Sequence, residues 1–200
     1  MSSIFDLLMD QLGGDTVGQI SRAVGAREED TQKALPDLLG VLTGALSRNS
    51  SSSDGAQALA AALDKDHDGN VLDNIPDYID NYKNGPGEGI LRHVLGANRP
   101  AMEQNLSQKS GLDAGTIGNL LTMLAPLLMG ALGKSKRQGG LDVGALAGLL
   151  GAERSRAEQA APASAGLLTQ LLDADGDGQI ADDVGKIGVG LLGKLFGKRR

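Results

Sequence analysis

The chain has 200 residues, no Cys or Trp, two Phe, two Tyr, 30 Gly and a formal net charge of −6. Without Cys there can be no disulfide, thiolate metal site or Cys nucleophile, and the acid excess argues against a general nucleic-acid binder. Leu and Ala supply most of the apolar mass, and with so few aromatics this predicts helices rather than sheets.

Taken in order, Ile4, Phe5, Leu8, Met9 and Leu12 fall at helical spacing before Gly13-Gly14. Val17, Ile20 and Val24 mark a second helix stopped by Gly25. Glu28-Glu29-Asp30 forms an acidic first turn, which suits the helix dipole. It opens a longer helix through Leu35, Leu38, Leu39, Leu42 and Leu46, with Pro36 near its start. Asn49-Ser-Ser-Ser-Ser-Asp54 reads as a flexible break. Ala58 to Leu63 reads as a short helix, and Ile75, Ile79 and Tyr82 as a later one. Lys83-Asn-Gly-Pro-Gly87 is the strongest linker signal.

The pattern then restarts. Leu91, Leu95 and Gly96 echo Leu8, Leu12 and Gly13. Ser107, Gly111 and Gly130-Ala-Leu132 echo Ser21, Gly25 and Gly44-Ala-Leu46 at one common offset of 86 (107−21, 111−25, 130−44). This predicts an internal duplication: a first repeat over 1–84 and a second over 85–200. The second holds extra residues, including a short helix around Leu141 to Leu150.

Each repeat also carries an acidic loop. The first is Asp64-Lys-Asp-His-Asp-Gly-Asn-Val-Leu-Asp-Asn74 and the second Asp173-Ala-Asp-Gly-Asp-Gly-Gln-Ile-Ala-Asp-Asp183. Carboxylates at alternate positions converge when the chain winds tightly, and a glycine at the sixth position permits the winding, as in an EF-hand loop. The candidate ligands are Asp64, Asp66, Asp68, Asn70 (through its carbonyl) and Asp73 in the first loop. In the second they are Asp173, Asp175, Asp177, Gln179 (through its carbonyl), Asp182 and Asp183. Position 12, where an EF-hand places a bidentate Glu, is Ile75 and Val184, so the loops must close through position 10 or 11. Two calcium ions are expected, with tighter binding at the second loop because it has one more carboxylate. Magnesium fits less well, because it demands a smaller and stricter octahedron. Val71 and Ile180 at position 8 are apolar, which lets each loop turn back towards a core or pair with the other loop.

Leu106-Ser-Gln-Lys-Ser-Gly-Leu112, Leu121-Thr-Met-Leu-Ala-Pro-Leu-Leu-Met-Gly-Ala-Leu132 and the Asp-x-Asp-x-Asp-Gly loop together resemble the bacterial family known as domain of unknown function 937 (DUF937). Its relatives include the YidB-like proteins. The resemblance implies a small, helical, cytoplasmic protein and carries no catalytic residues with it.

The remaining features are weighed against plainer readings. Ile20 to Gly25 and Leu106 to Gly111 look like helix-turn-helix cores, but acids rather than bases open the next helices, which favours hairpin packing over DNA binding. Leu120 to Leu132 is apolar nearly all round and reads equally as a core helix or a subunit interface. In the tail Lys186–Arg200, Ile187, Leu191, Leu192, Leu195 and Phe196 form one apolar face, with Lys194, Lys198, Arg199 and Arg200 supplying charge. The tail reads as a last core helix or as an interfacial membrane helix. His67 is expected to be exposed and His93 to be packing. No nucleophile elbow, phosphate loop or dinucleotide fingerprint is present.

These readings converge on an all-α, internally duplicated helical bundle in which each half ends in a calcium-binding loop. It is expected to be non-enzymatic and cytoplasmic: a calcium-stabilised scaffold or self-assembling interaction protein. The alternative is purely structural calcium in a peripheral membrane binder that acts through its basic C-terminal helix. A homo-oligomer or protein partner is expected, and no nucleic acid.

Overall fold

The computed structural model describes residues 3–160. Among these residues every regular element is helical. The helices are α1 (Ile4–Gln11), α2 (Asp15–Val24), α3 (Glu28–Asn49), α4 (Ser53–Lys65), α5 (Ile75–Asn81), α6 (Gly87–Val94), α7 (Arg99–Ser110), α8 (Ala114–Gly139) and α9 (Val143–Ala160). Single 3₁₀ turns lie at Asn70–Leu72, Tyr82–Asn84 and Gly96–Asn98. The three helices expected before residue 50 are present at the expected places.

Side-chain caps explain where several helices begin. The Ser3 hydroxyl accepts from the Asp6 N–H at 3.0 Å, and Asp113 accepts from the Thr116 N–H at 3.0 Å. Ser52 accepts from the Gly55 N–H at 3.1 Å, which extends α4 a full turn ahead of the Ala58 to Leu63 segment read from apolar spacing. The polar first turn of α4 shows no hydrophobic period, so only the cap marks it. The Asn49 to Asp54 stretch is correspondingly not a flexible break. Only Ser50–Ser52 separate α3 from α4, and the Ser50 and Ser51 hydroxyls donate to the carbonyls of Ser47 and Arg48. α9 likewise runs well past Leu150, to Ala160.

α8 is the axis of the fold. It packs against α1, α2, α3, α4, α6 and α7, and its side chains from Thr116 to Gly133 are buried apart from Asn119. Each fully buried Leu is worth about 1.5–3 kcal/mol of transfer free energy. The apolar Leu120 to Leu132 segment is therefore a core helix within one chain. By length and composition α8 is the one helix among the described residues that could cross a membrane, but 83% of that stretch is buried inside the fold. Residues from Ile4 to Ala157 share a single hydrophobic cluster.

Pro126 sits inside α8 and has no N–H to give the carbonyl of Thr122, four residues back. The backbone of Gly87 lies against that carbonyl, so closely that a methyl group at Gly87 would come within 2.0 Å of it. The Lys83–Gly87 stretch is thus a tight corner seated on α8 rather than a spacer. Next to it, the Tyr78 hydroxyl donates to the Met123 carbonyl at 3.1 Å.

Candidate functional site

The first acidic loop joins α4 to α5. Asp64 lies in the last turn of α4 and Asp66 caps its end. Gly69 takes a left-handed conformation with φ +92°, which a side chain would strain, and the turn Asn70–Leu72 follows. Asn74 then caps α5 by accepting from the Asp77 N–H. The glycine at the sixth position of the pattern thus takes the left-handed conformation expected of it.

The loop is seated on α8 by backbone-to-backbone approach. A methyl group at Gly133 would lie 1.8 Å from the His67 carbonyl oxygen, and one at Gly130 would lie 2.5 Å from Val71 Cγ1. Val71 packs partly buried against the core, in keeping with its expected inward turn. Gly130 and Gly133 lie one turn apart on one face of the helix, so together they make a shallow bed for residues 67–71.

The acidic side chains have cationic neighbours. Lys136 Nζ lies 2.6 Å from Asp64 Oδ1, and Lys134 Nζ lies 3.5 Å from Asp73 Oδ1. Asp68 accepts from the Asn70 N–H at 3.0 Å and from its side-chain amide at 2.5 Å. The Asn70 carbonyl accepts from the Asp73 N–H at 3.0 Å and so closes the short turn. Asp66 is exposed. Among the described residues, no three carboxylate or imidazole groups converge as a metal-holding set. The donor set is of the right kind and order for calcium, but Asp64 and Asp73 here face lysines. Beside this contact, a cleft of about 230 Å³ opens between the loop and the last turns of α8, lined by Asp68, Asp73, Lys134 and Arg137. The second loop, with Asp173, Asp175, Asp177, Gln179, Asp182 and Asp183, lies outside the described residues, as does the Lys186–Arg200 tail.

The two lysines escaped the sequence reading. The available signal was their position, one and three residues after Gly133, on the helix whose glycines admit the loop.

On its other side the loop borders a groove of about 810 Å³, between the end of α3, α4, α6 and α8. Its walls are largely apolar, with Leu46, Leu59, Ile90, Val94 and Met129 among them. Asp66 and both histidines of the chain, His67 and His93, also line it. His67 is half-buried rather than exposed, because its backbone is pressed onto Gly133. Burial pushes its pKa down from the usual imidazole range, against the opposing pull of Asp66 and Asp68. His93 stands exposed in the last turn of α6, so its side chain is not the packing group expected of it. Its backbone carbonyl accepts from the Asn49 amide at 3.3 Å.

A third polar cluster braces α6, α7 and α8. Arg99 donates to both oxygens of Glu88, at 2.5 and 2.9 Å, and to Glu103 at 2.6 Å. The Thr122 hydroxyl lies 3.0 Å from Glu88 Oε1. Arg99 and, less strongly, Thr122 hold the Glu88 carboxyl down at about 2, against a smaller upward push from burial. The cluster ties α6, α7 and α8 together through charged side chains.

Residues 6–135 match the model of a family described as bacterial protein of unknown function (DUF937). The chain belongs to this family. The matched region runs from α1 to near the end of α8, so it includes the first acidic loop and its glycine bed, while α9 follows it. No curated protein and no solved structure matches the chain.

Proposed function

We propose that this DUF937 protein is a non-enzymatic, calcium-braced helical scaffold built from an internal duplication. The observation that carries the reading is the first loop: Asp-x-Asp-x-Asp-Gly in sequence, Gly69 in the left-handed conformation, and the loop backbone seated on the central helix. Asp64, Asp66, Asp68 and Asp73 would hold the ion, and the ion would supply the positive charge that lets them sit close together. Lys136 and Lys134 meanwhile hold Asp64 and Asp73 and keep the loop's charge balanced. Because α4, the loop and α5 all meet α8, any tightening of the loop reaches the core helix directly.

The order of elements supports the duplication. The run of α1, α2 and α3 has its counterpart in α6, α7 and α8. Gly25 and Gly111 end α2 and α7 in the same left-handed conformation. α4 packs on α8 while α9 packs on α3, so each long helix receives a helix from the other half of the chain.

The test is isothermal calorimetry of the full chain with calcium and then magnesium, beside Asp66→Asn/Asp68→Asn and Asp175→Asn/Asp177→Asn variants. Calcium heat that each double substitution reduces by one site supports the reading. Absence of calcium heat, or binding untouched by either variant, overturns it. Light scattering with chelator and with calcium then shows whether assembly follows the ion.

A further inference from the structure

The groove between α3, α4, α6 and α8 has a largely apolar lining, with Leu46, Ile90, Val94 and Met129 as its buried floor and Leu59 partly buried in its wall. A groove of about 810 Å³ with such a lining has the size and character of a binding site. Its lining has a definite charge character. Among the described residues it includes no Lys or Arg, and its one carboxylate is Asp66. The occupant should therefore pair an apolar face with positive charge.

The chain carries such a segment. Residues 186–200 hold five basic residues and no acidic one, with Ile187, Leu191, Leu192, Leu195 and Phe196 at helical spacing. Residues 1–160, by contrast, hold 14 Lys and Arg against 20 Asp and Glu, so a second copy would bring like charge to the same place. Reach does not forbid the pairing. The stretch 161–185 extends to roughly 80 Å when fully drawn out, while a domain of this size has a radius of gyration of about 15 Å.

We propose that the groove is the seat of the chain's own C-terminal segment, Lys186–Arg200. The apolar face of the segment lies on Leu59, Ile90, Val94 and Met129, and its basic residues lie beside Asp66. While seated, the segment is withheld from any membrane or partner protein. The inference does not rest on calcium, and its test is run in chelator so that the two readings fail separately.

The molecule is well suited to the experiment, because it has no native cysteine and its only two histidines both line the groove. A nitroxide is attached to the full chain through Gly193→Cys, beside the apolar face but not in it, and the imidazole signals of His67 and His93 are followed by NMR together with the amides of Leu59, Ile90 and Val94. The expected result is loss of most of the intensity of these signals, independent of protein concentration, and partial recovery in Asp66→Asn. Full intensity at the groove overturns the proposal, and so does broadening centred elsewhere. Mixing spin-labelled chain with unlabelled, isotope-enriched chain identifies a second copy: broadening of the enriched chain's groove signals in that mixture makes the occupant intermolecular and overturns it. Anionic phosphatidylserine vesicles provide the last arm. Groove signals that are unbroadened before vesicles are added, with tail signals lost on addition, assign the tail to the membrane instead.

Discussion

At the scale of single residues, the glycines of α8 and α9 separate two roles that the sequence writes with one letter. Gly133 faces the His67 carbonyl with no room for a methyl group, whereas Gly148 on α9 has nothing within 4 Å. Gly133→Ala is expected to cost about 2 kcal/mol or more, because neither of the two backbones can give way easily. Gly148→Ala is expected to gain about 0.5–1 kcal/mol from helix propensity alone. Urea unfolding of both variants checks the pair, and equal effects would contradict the close approach. Glu88 gives a pH signature. Its carboxyl falls from its ordinary 4.5 to about 2 in the fold, so its contribution is present above pH 4.5 and is lost as the pH falls towards 2. The Glu88 side chain is 59% exposed, and solvent screening limits the effect to a few tenths of a kcal/mol up to about 1. Glu88→Gln is expected to be less stable than the native chain at pH 7, with the gap constant down to about pH 5 and closing below. Thermal melts across that range measure it.

At the scale of elements, the contact of α9 with α1 depends on one buried acid. Glu153 is 5% exposed, and its Oε2 accepts from the Phe5 N–H at 2.9 Å. Phe5 is the second residue of α1, so this N–H is one of those with no partner inside the helix. The nearby Arg156–Asp6 pair, at 3.5 Å, is more than half exposed on both sides and adds little. Glu153→Ala is expected to cost about 1–3 kcal/mol and to speed amide exchange in α1 before the other helices. Glu153→Gln keeps an acceptor and should retain most of the protection. Uniform exchange across all helices in Glu153→Ala would show that the acid serves the fold as a whole instead.

For the whole molecule, a ligand that binds the folded chain alone stabilises it in proportion to its excess over Kd, by about 2.7 kcal/mol per site at a hundredfold excess. Millimolar calcium is therefore expected to raise Tm, with a smaller rise in magnesium and a reduced one in Asp66→Asn/Asp68→Asn. Lys136→Met removes a rival cation from Asp64 and is expected to tighten calcium binding, as calorimetry would record. Unchanged or weaker binding would mean that the Lys136–Asp64 pair does not compete with the ion.

Local chemistry was legible in the letters. Apolar residues at helical spacing, the glycines at helix ends and the acidic opening of α3 placed the early helices, and the Asp-Gly pattern placed the left-handed turn at Gly69. These features depend on neighbours three or four residues away, so the sequence by itself determines them. The polar first turn of α4 escaped because a cap, rather than a hydrophobic period, builds it. The lysines beside the loop escaped for a different reason: Lys136 and Asp64 stand 72 residues apart, and nothing in the spacing of either announces the other. The burial of His67, the gathering of both histidines in one groove and the placement of Gly87 against the carbonyl freed by Pro126 are of the same kind. Each is a contact between distant segments, fixed by how closely backbones approach once α8 lies at the centre, and only the tertiary structure decides it.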